Sequence, residues 1–116
     1  MTEVTIYHNP RCSTSRKALA LLRERGHEPE VVPYLETPPS ASELKQIAAA
    51  TGEPLRALLR TKQAEYGAQG LDDPALSDDE IAAAMVETPV LIERPIVVTR
   101  KGARLGRPVE KILEVL

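Results

Sequence analysis

Val4-Thr5-Ile6-Tyr7-His8-Asn9-Pro10-Arg11-Cys12-Ser13-Thr14-Ser15-Arg16 passes from a short β-prone run into an amphipathic helical run that continues to about Arg25. It holds the only cysteine of the 116 residues. A cysteine at a strand-to-helix junction faces the unpaired N–H groups of the first helical turn and the positive end of the helix dipole. Both favour thiolate over thiol, and the thiolate is the nucleophile. The competing reading is a small buried hydrophobe, which is what many free cysteines are. Arg11, Ser13, Thr14 and Ser15 surround it in sequence and are a poor lining for an apolar pocket.

Outward from this stretch, Ala18, Leu19, Leu21 and Leu22 give the helix its apolar face, and Gly26 marks its end. Glu30-Val31-Val32-Pro33-Tyr34 reads as a second strand closed by its proline. Strand, helix and strand within about thirty-five residues make a βαβ unit, with parallel strands and a right-handed crossover. The last third returns to β structure. Ile96-Val97-Val98-Thr99 is a strand, Arg100-Lys101-Gly102-Ala103 a turn, and Arg104-Leu105 a short return strand. From Pro108 a helix follows, with Val109, Ile112, Leu113 and Leu116 on one face.

Between these halves lies an all-helical stretch, residues 40–88, read as an insertion into a single domain spanning 1–116. Ser40-Ala41-Ser42-Glu43 and Ser77-Asp78-Asp79-Glu80 have capping-box spacing. The first opens a helix carrying Leu44, Ile47 and Ala48 and closed by Gly52; the second opens one carrying Ile81, Ala84 and Met85 and ended by Thr88-Pro89. A short helix is expected from Pro54 to about Arg60. Thr61 to Asp73 is polar and reads as irregular or a short helical turn.

Composition narrows the function classes. The chain has the length of one ordinary domain and no Phe or Trp, so its core is built from Leu, Ile, Val and Ala. A net charge of −2 points to neither nucleic acid nor an anionic membrane. No run approaches membrane-spanning length, and Met1-Thr2-Glu3-Val4 does not open a signal peptide. A lone free thiol belongs in a reducing compartment, so a cytoplasmic location is expected. Position 15 is Ser, which removes a Cys-x-x-Cys redox pair, and position 18 is Ala, where a phosphatase-type loop needs arginine. One cysteine and two histidines do not make a zinc site, and no metal is expected.

Arginines outnumber lysines ten to five, and three sit at breaks in the pattern. Arg60 ends the short helix, Arg94 precedes Pro95 at a strand entry, and Arg107 precedes Pro108. A cation at a helix start is electrostatically unfavourable unless an anion lies between, so Arg107 is better read as an oxyanion ligand than as a cap. Taken singly, each arginine also fits a solvated surface. His8, four residues before Cys12, serves an anion, the thiol or merely the strand end.

Tyr7-His8-Asn9-Pro10-x-Cys12-x-Thr14-Ser15-Arg16, Tyr34-Leu35-Glu36-x-Pro38-Pro39, Arg56-Ala57-Leu58-Leu59-Arg60 and Arg94-Pro95-Ile96-Val97-Val98 together resemble the glutaredoxin-coupled arsenate reductases, over essentially the whole chain. The resemblance implies a thioredoxin-like α/β fold: a mixed four-stranded sheet, built from the βαβ half and a β-hairpin–α half, with the helical insertion. It implies a cis bond at Arg94-Pro95. It makes Cys12 the nucleophile with His8 beside it, and Arg60, Arg94 and Arg107 the oxyanion ligands, supported by Asn9, Thr14, Ser15 and Pro95. It implies arsenate as substrate, no bound cofactor, glutathione as co-substrate and glutaredoxin as partner. For Arg94 to reach Cys12 from a strand entry, that strand must run antiparallel to the first. Two alternatives share the first motif: a thiol-based transcriptional regulator that binds RNA polymerase, and a monothiol glutathione-dependent transferase. Neither needs three arginines.

Overall fold

A computed structural model of the chain describes residues 3–116. Strand β1 (Thr5–Tyr7) is followed by helix α1 (Ser13–Glu24) and strand β2 (Glu30–Val32). Helices α2 (Ala41–Thr51), α3 (Ala64–Ala68) and α4 (Asp78–Glu87) come next, and strands β3 (Ile96–Thr99) and β4 (Gly102–Leu105) after them. Three short 3₁₀ segments complete the order: Leu55–Leu58, Pro89–Leu91 and Val109–Val115.

The four strands form one mixed sheet in the order β2-β1-β3-β4. β1 and β2 are parallel, and Ile6 lies opposite Val31. β3 is antiparallel to β1, with Tyr7 opposite Ile96, and β4 is antiparallel to β3. The thioredoxin-like sheet is thus present, and β3 runs in the direction that Arg94 requires. β2 is shorter than its sequence suggests, because Pro33 has no N–H for the ladder. Its carbonyl instead accepts from the N–H groups of Glu36 and Thr37 in a turn.

Contacts divide the described residues into two compact units. One runs to Thr37 and resumes at Arg94–Leu116. It contains the sheet, α1 and the last 3₁₀ segment. Its core joins Val4, Ile6, Ala18, Leu22, Val97 and Ile112, with Val115, all nearly or wholly buried. The last helix is wound as 3₁₀ rather than α. Its apolar residues Val109, Ile112 and Val115 recur every third position, and a 3₁₀ helix stacks i and i+3 on one face. Ile112 and Val115 are the buried pair, whereas an α-helical period would have favoured Leu113 and Leu116.

The other unit is Pro38–Glu93. α2 and α4 both start on complete capping boxes, Ser40 with Glu43 and Ser77 with Glu80. Gly52 ends α2 in the left-handed region at φ 77°, which glycine adopts without a Cβ penalty. Leu44, Ile47, Leu55, Leu58, Ile81 and Met85 are among its buried side chains. The short helix from Pro54 is one 3₁₀ segment, after which Leu59 extends to bridge Ile92. The polar stretch after Thr61 contains only the five-residue α3, and Arg56 ties it down by donating to the carbonyls of Leu71 and Asp73. No helix among the described residues is long and apolar enough to cross a membrane.

Candidate active site

Cys12 is the N-cap residue of α1, at the C-terminal end of β1. The loop that delivers it is closed locally. Asn9 Oδ1 accepts from the Arg11 N–H at 3.0 Å, and the Asn9 carbonyl accepts from the Cys12 N–H at 3.0 Å. Arg16 reaches back from α1 and donates from Nη1 to the Pro10 carbonyl at 2.7 Å. A helix start usually carries an oxygen cap and acidic residues in its first turn. Here no side-chain cap bond forms and the first turn holds no acid. The unneutralised positive end of α1 is left to the sulfur.

Cys12 is 9% exposed, and burial pushes its pKa up. That effect is outweighed by the backbone N–H of Ser15, the Arg94 side chain and the N–H of Thr14, and the net result is a pKa below the ordinary value. Arg107 approaches from the other end of the same unit, with Nη2 3.6 Å from Cys12 Sγ. Its Nε donates to the Arg94 carbonyl at 2.8 Å, so the two arginines are coupled through backbone. Both precede prolines, and both Arg94-Pro95 and Arg107-Pro108 are cis. The second cis bond had no signal in the sequence. Gly106 packs beside Pro95, where a Cβ would stand 2.9 Å from Pro95 Cγ.

His8 is buried and shares a 2.7 Å hydrogen bond between Nδ1 and Ser15 Oγ. Ser15 Oγ also accepts from the Asn9 N–H at 3.0 Å. Ser15 sits on the buried stripe of α1 with Ala18 and Leu22, and these two bonds satisfy a hydroxyl that would otherwise be costly to bury. Burial, then the Arg16 and Arg23 charges, hold the His8 pKa below its ordinary 6.5. His8 is therefore neutral near pH 7. It bears on Cys12 through Ser15, whose N–H acts on the sulfur. Sequence reasoning paired His8 with the cysteine or an anion and missed this link, since it depends on how α1 packs on β1.

Arg60 belongs to the second unit. Its Nε donates to Gln63 Oε1 at 3.0 Å and its Nη1 lies 3.4 Å from Glu93 Oε1. Among the described residues no cluster of His, Cys, Asp or Glu could hold a metal ion.

A largely buried thiol at a helix end without acid, with two guanidinium groups beside it, can bind a tetrahedral oxyanion and attack it. A family model described as the ArsC family matches residues 7–115. An arsenate reductase of Rhizobium meliloti (strain 1021) is 50% identical over 113 residues, covering 97% of this chain and 81% of that protein. An arsenate reductase of Escherichia coli (strain K12) is 47% identical over 116 residues, covering 100% and 82%. A solved structure described as an arsenate reductase from Vibrio cholerae is 53% identical, with a TM-score of 0.94 over 97% of each chain. With the Cys12 loop, the cis Arg94-Pro95 entry and the mixed sheet all inside the matched region, the chain belongs to the ArsC family.

Proposed function

We propose that this protein is an arsenate reductase whose nucleophile is Cys12 and whose electrons come from outside thiols. The observation that carries this reading is the convergence of Arg94 and Arg107 on a sulfur whose pKa is held down at the start of α1. Arginine forks grip tetrahedral oxyanions bidentately. The Cys12 thiolate attacks arsenic, and one arsenate oxygen leaves with two protons as water, giving a cysteine–arsenate adduct. The guanidinium groups neutralise charge on the remaining oxygens as it builds. Arg60 is proposed as the third ligand on the strength of the sequence resemblance. His8 acts as a positioning residue through Ser15.

Arsenic must then gain two electrons, and two thiols must give one each and end as a disulfide. Cys12 is the only thiol of the chain, so the rest must be supplied. Glutathione as resolving thiol and glutaredoxin as the protein that regenerates Cys12 fit this need, in a reducing compartment such as the cytoplasm. Phosphate has the same shape and charge, and competes for the site without being reduced by thiols.

The test is arsenite formation by the purified protein with arsenate, glutathione and glutaredoxin. Many arsenite molecules per protein are expected. No arsenite above the protein-free control would contradict the reading.

A further inference from the structure

Arg60 stands on backbone that is fixed from both sides. Leu59 bridges Ile92 in antiparallel fashion, the Arg60 N–H donates to the Leu91 carbonyl at 2.7 Å, and the Glu93 N–H donates to the Leu58 carbonyl at 2.8 Å. Leu58, Leu59, Leu91 and Ile92 are all buried, so these bonds rest on packed side chains. The Arg60 side chain is held as well. Gln63 Oε1 accepts from its Nε at 3.0 Å and Glu93 Oε1 from its Nη1 at 3.4 Å, while the Gln63 N–H donates to the Arg60 carbonyl at 3.1 Å. The side chains of the ion pair are 25% and 21% exposed, so salt screens it less than an open surface pair.

A carboxylate beside an anion ligand works against it, because it lowers the net positive charge that the anion meets. Two roles for Glu93 therefore have opposite signs. It either competes with the anion for Arg60 or holds Arg60 in the geometry the anion needs. Gln63 decides between them. It has no charge with which to compete, yet it takes a different nitrogen of the same guanidinium. With Nε and one Nη1 hydrogen engaged, the second Nη1 hydrogen and both on Nη2 are left for a ligand. A long arginine gives up much rotamer freedom when it grips an anion, and fixing it beforehand removes that cost. Resting on Arg60 as the third oxyanion ligand, we propose that Gln63 and Glu93 are positioning residues that fix the Arg60 guanidinium with its Nη2 edge left for the oxyanion.

The experiment is a mutant cycle on the full chain. It is read as kcat/KM for arsenate, with glutathione and glutaredoxin, and as the inhibition constant of sulfate. Gln63→Leu combined with Glu93→Ala should lower kcat/KM and raise the sulfate constant, each about tenfold, the size expected for one lost charge-assisted hydrogen bond. Glu93→Gln keeps an acceptor oxygen and should stay near the wild-type value in both. In an Arg60→Ala background the same pair of changes should cost nothing further, since residues that act through Arg60 then have nothing to position. A merely structural role would carry its loss into that background. Equal losses in both backgrounds overturn the proposal, and so does no loss in either while Arg60→Ala alone is impaired. Tighter sulfate binding by Glu93→Gln overturns it too, and would make Glu93 a competitor. Wild-type turnover in Arg60→Ala removes Arg60 from the grip and the proposal with it, while the arsenate reading stands. No arsenite from the wild-type protein overturns both.

Discussion

Cys12 is a useful nucleophile only if its proton leaves near neutral pH, and that is decided by a contest at one atom. Burial favours the thiol; the N–H groups of Ser15 and Thr14 and the Arg94 guanidinium favour the thiolate, and they win. Alkylation rate against pH should therefore show a midpoint below that of a free cysteine, roughly 8.5. Arg94→Ala should move the midpoint up, and so should saturating sulfate, because an anion beside the sulfur disfavours a second negative charge. A wild-type midpoint at or above the free value would remove the thiolate argument. His8 makes a prediction of opposite character. Its folded pKa lies below 6.5, so as pH falls through that value the unfolded chain takes up a proton that the folded chain resists. Stability should therefore drop in that window, as read by urea midpoints at about pH 7.5 and about pH 5.5. His8→Gln should flatten the dependence, and an unchanged slope in that variant would place its cause elsewhere.

Elements were legible where their signals are local. The capping boxes at Ser40 and Ser77 formed as spaced, because Ser and Glu three apart need only the backbone between them. Ser40→Ala should cost about 1 kcal/mol in urea unfolding. The last helix was legible as a helix but not as 3₁₀, since Val109 and Ile112 satisfy both periods and only burial of Val115 decides between them. The Arg107-Pro108 isomer had no local signal, and the His8–Ser15 bond was not legible because it depends on how α1 packs on β1. Gly106 belongs with these. A methyl there would stand 2.9 Å from Pro95 Cγ and 3.2 Å from Ile112 Cγ2. Gly106→Ala should destabilise by about 1–3 kcal/mol and slow turnover more than its stability loss explains, because the shift falls on the strand entry that carries Arg94. Turnover at the wild-type rate in a destabilised Gly106→Ala would show that this entry need not be held so closely.

At the scale of the whole molecule, one thiol cannot complete a two-electron reduction. Protein and arsenate without added thiol should give no catalytic arsenite, and thioredoxin alone should substitute poorly, since the chain cannot present it with an internal disulfide. The arginines test how far the anion grip extends. Arg94→Lys and Arg107→Lys should each lose on the order of 2–4 kcal/mol of transition-state stabilisation, because an ammonium lacks the fork. Arg60→Lys asks the same of a residue whose guanidinium meets Gln63 and Glu93 in its own unit, and normal turnover there would drop it from the grip. The sulfur remains the claim on which the others depend. The most direct measurement is arsenite produced by Cys12→Ser beside the wild-type protein, with arsenate, glutathione and glutaredoxin, after circular dichroism has shown both folded. The account predicts sustained arsenite formation from the wild type and none above background from the serine variant. Turnover by folded Cys12→Ser at a rate near the wild type would contradict it.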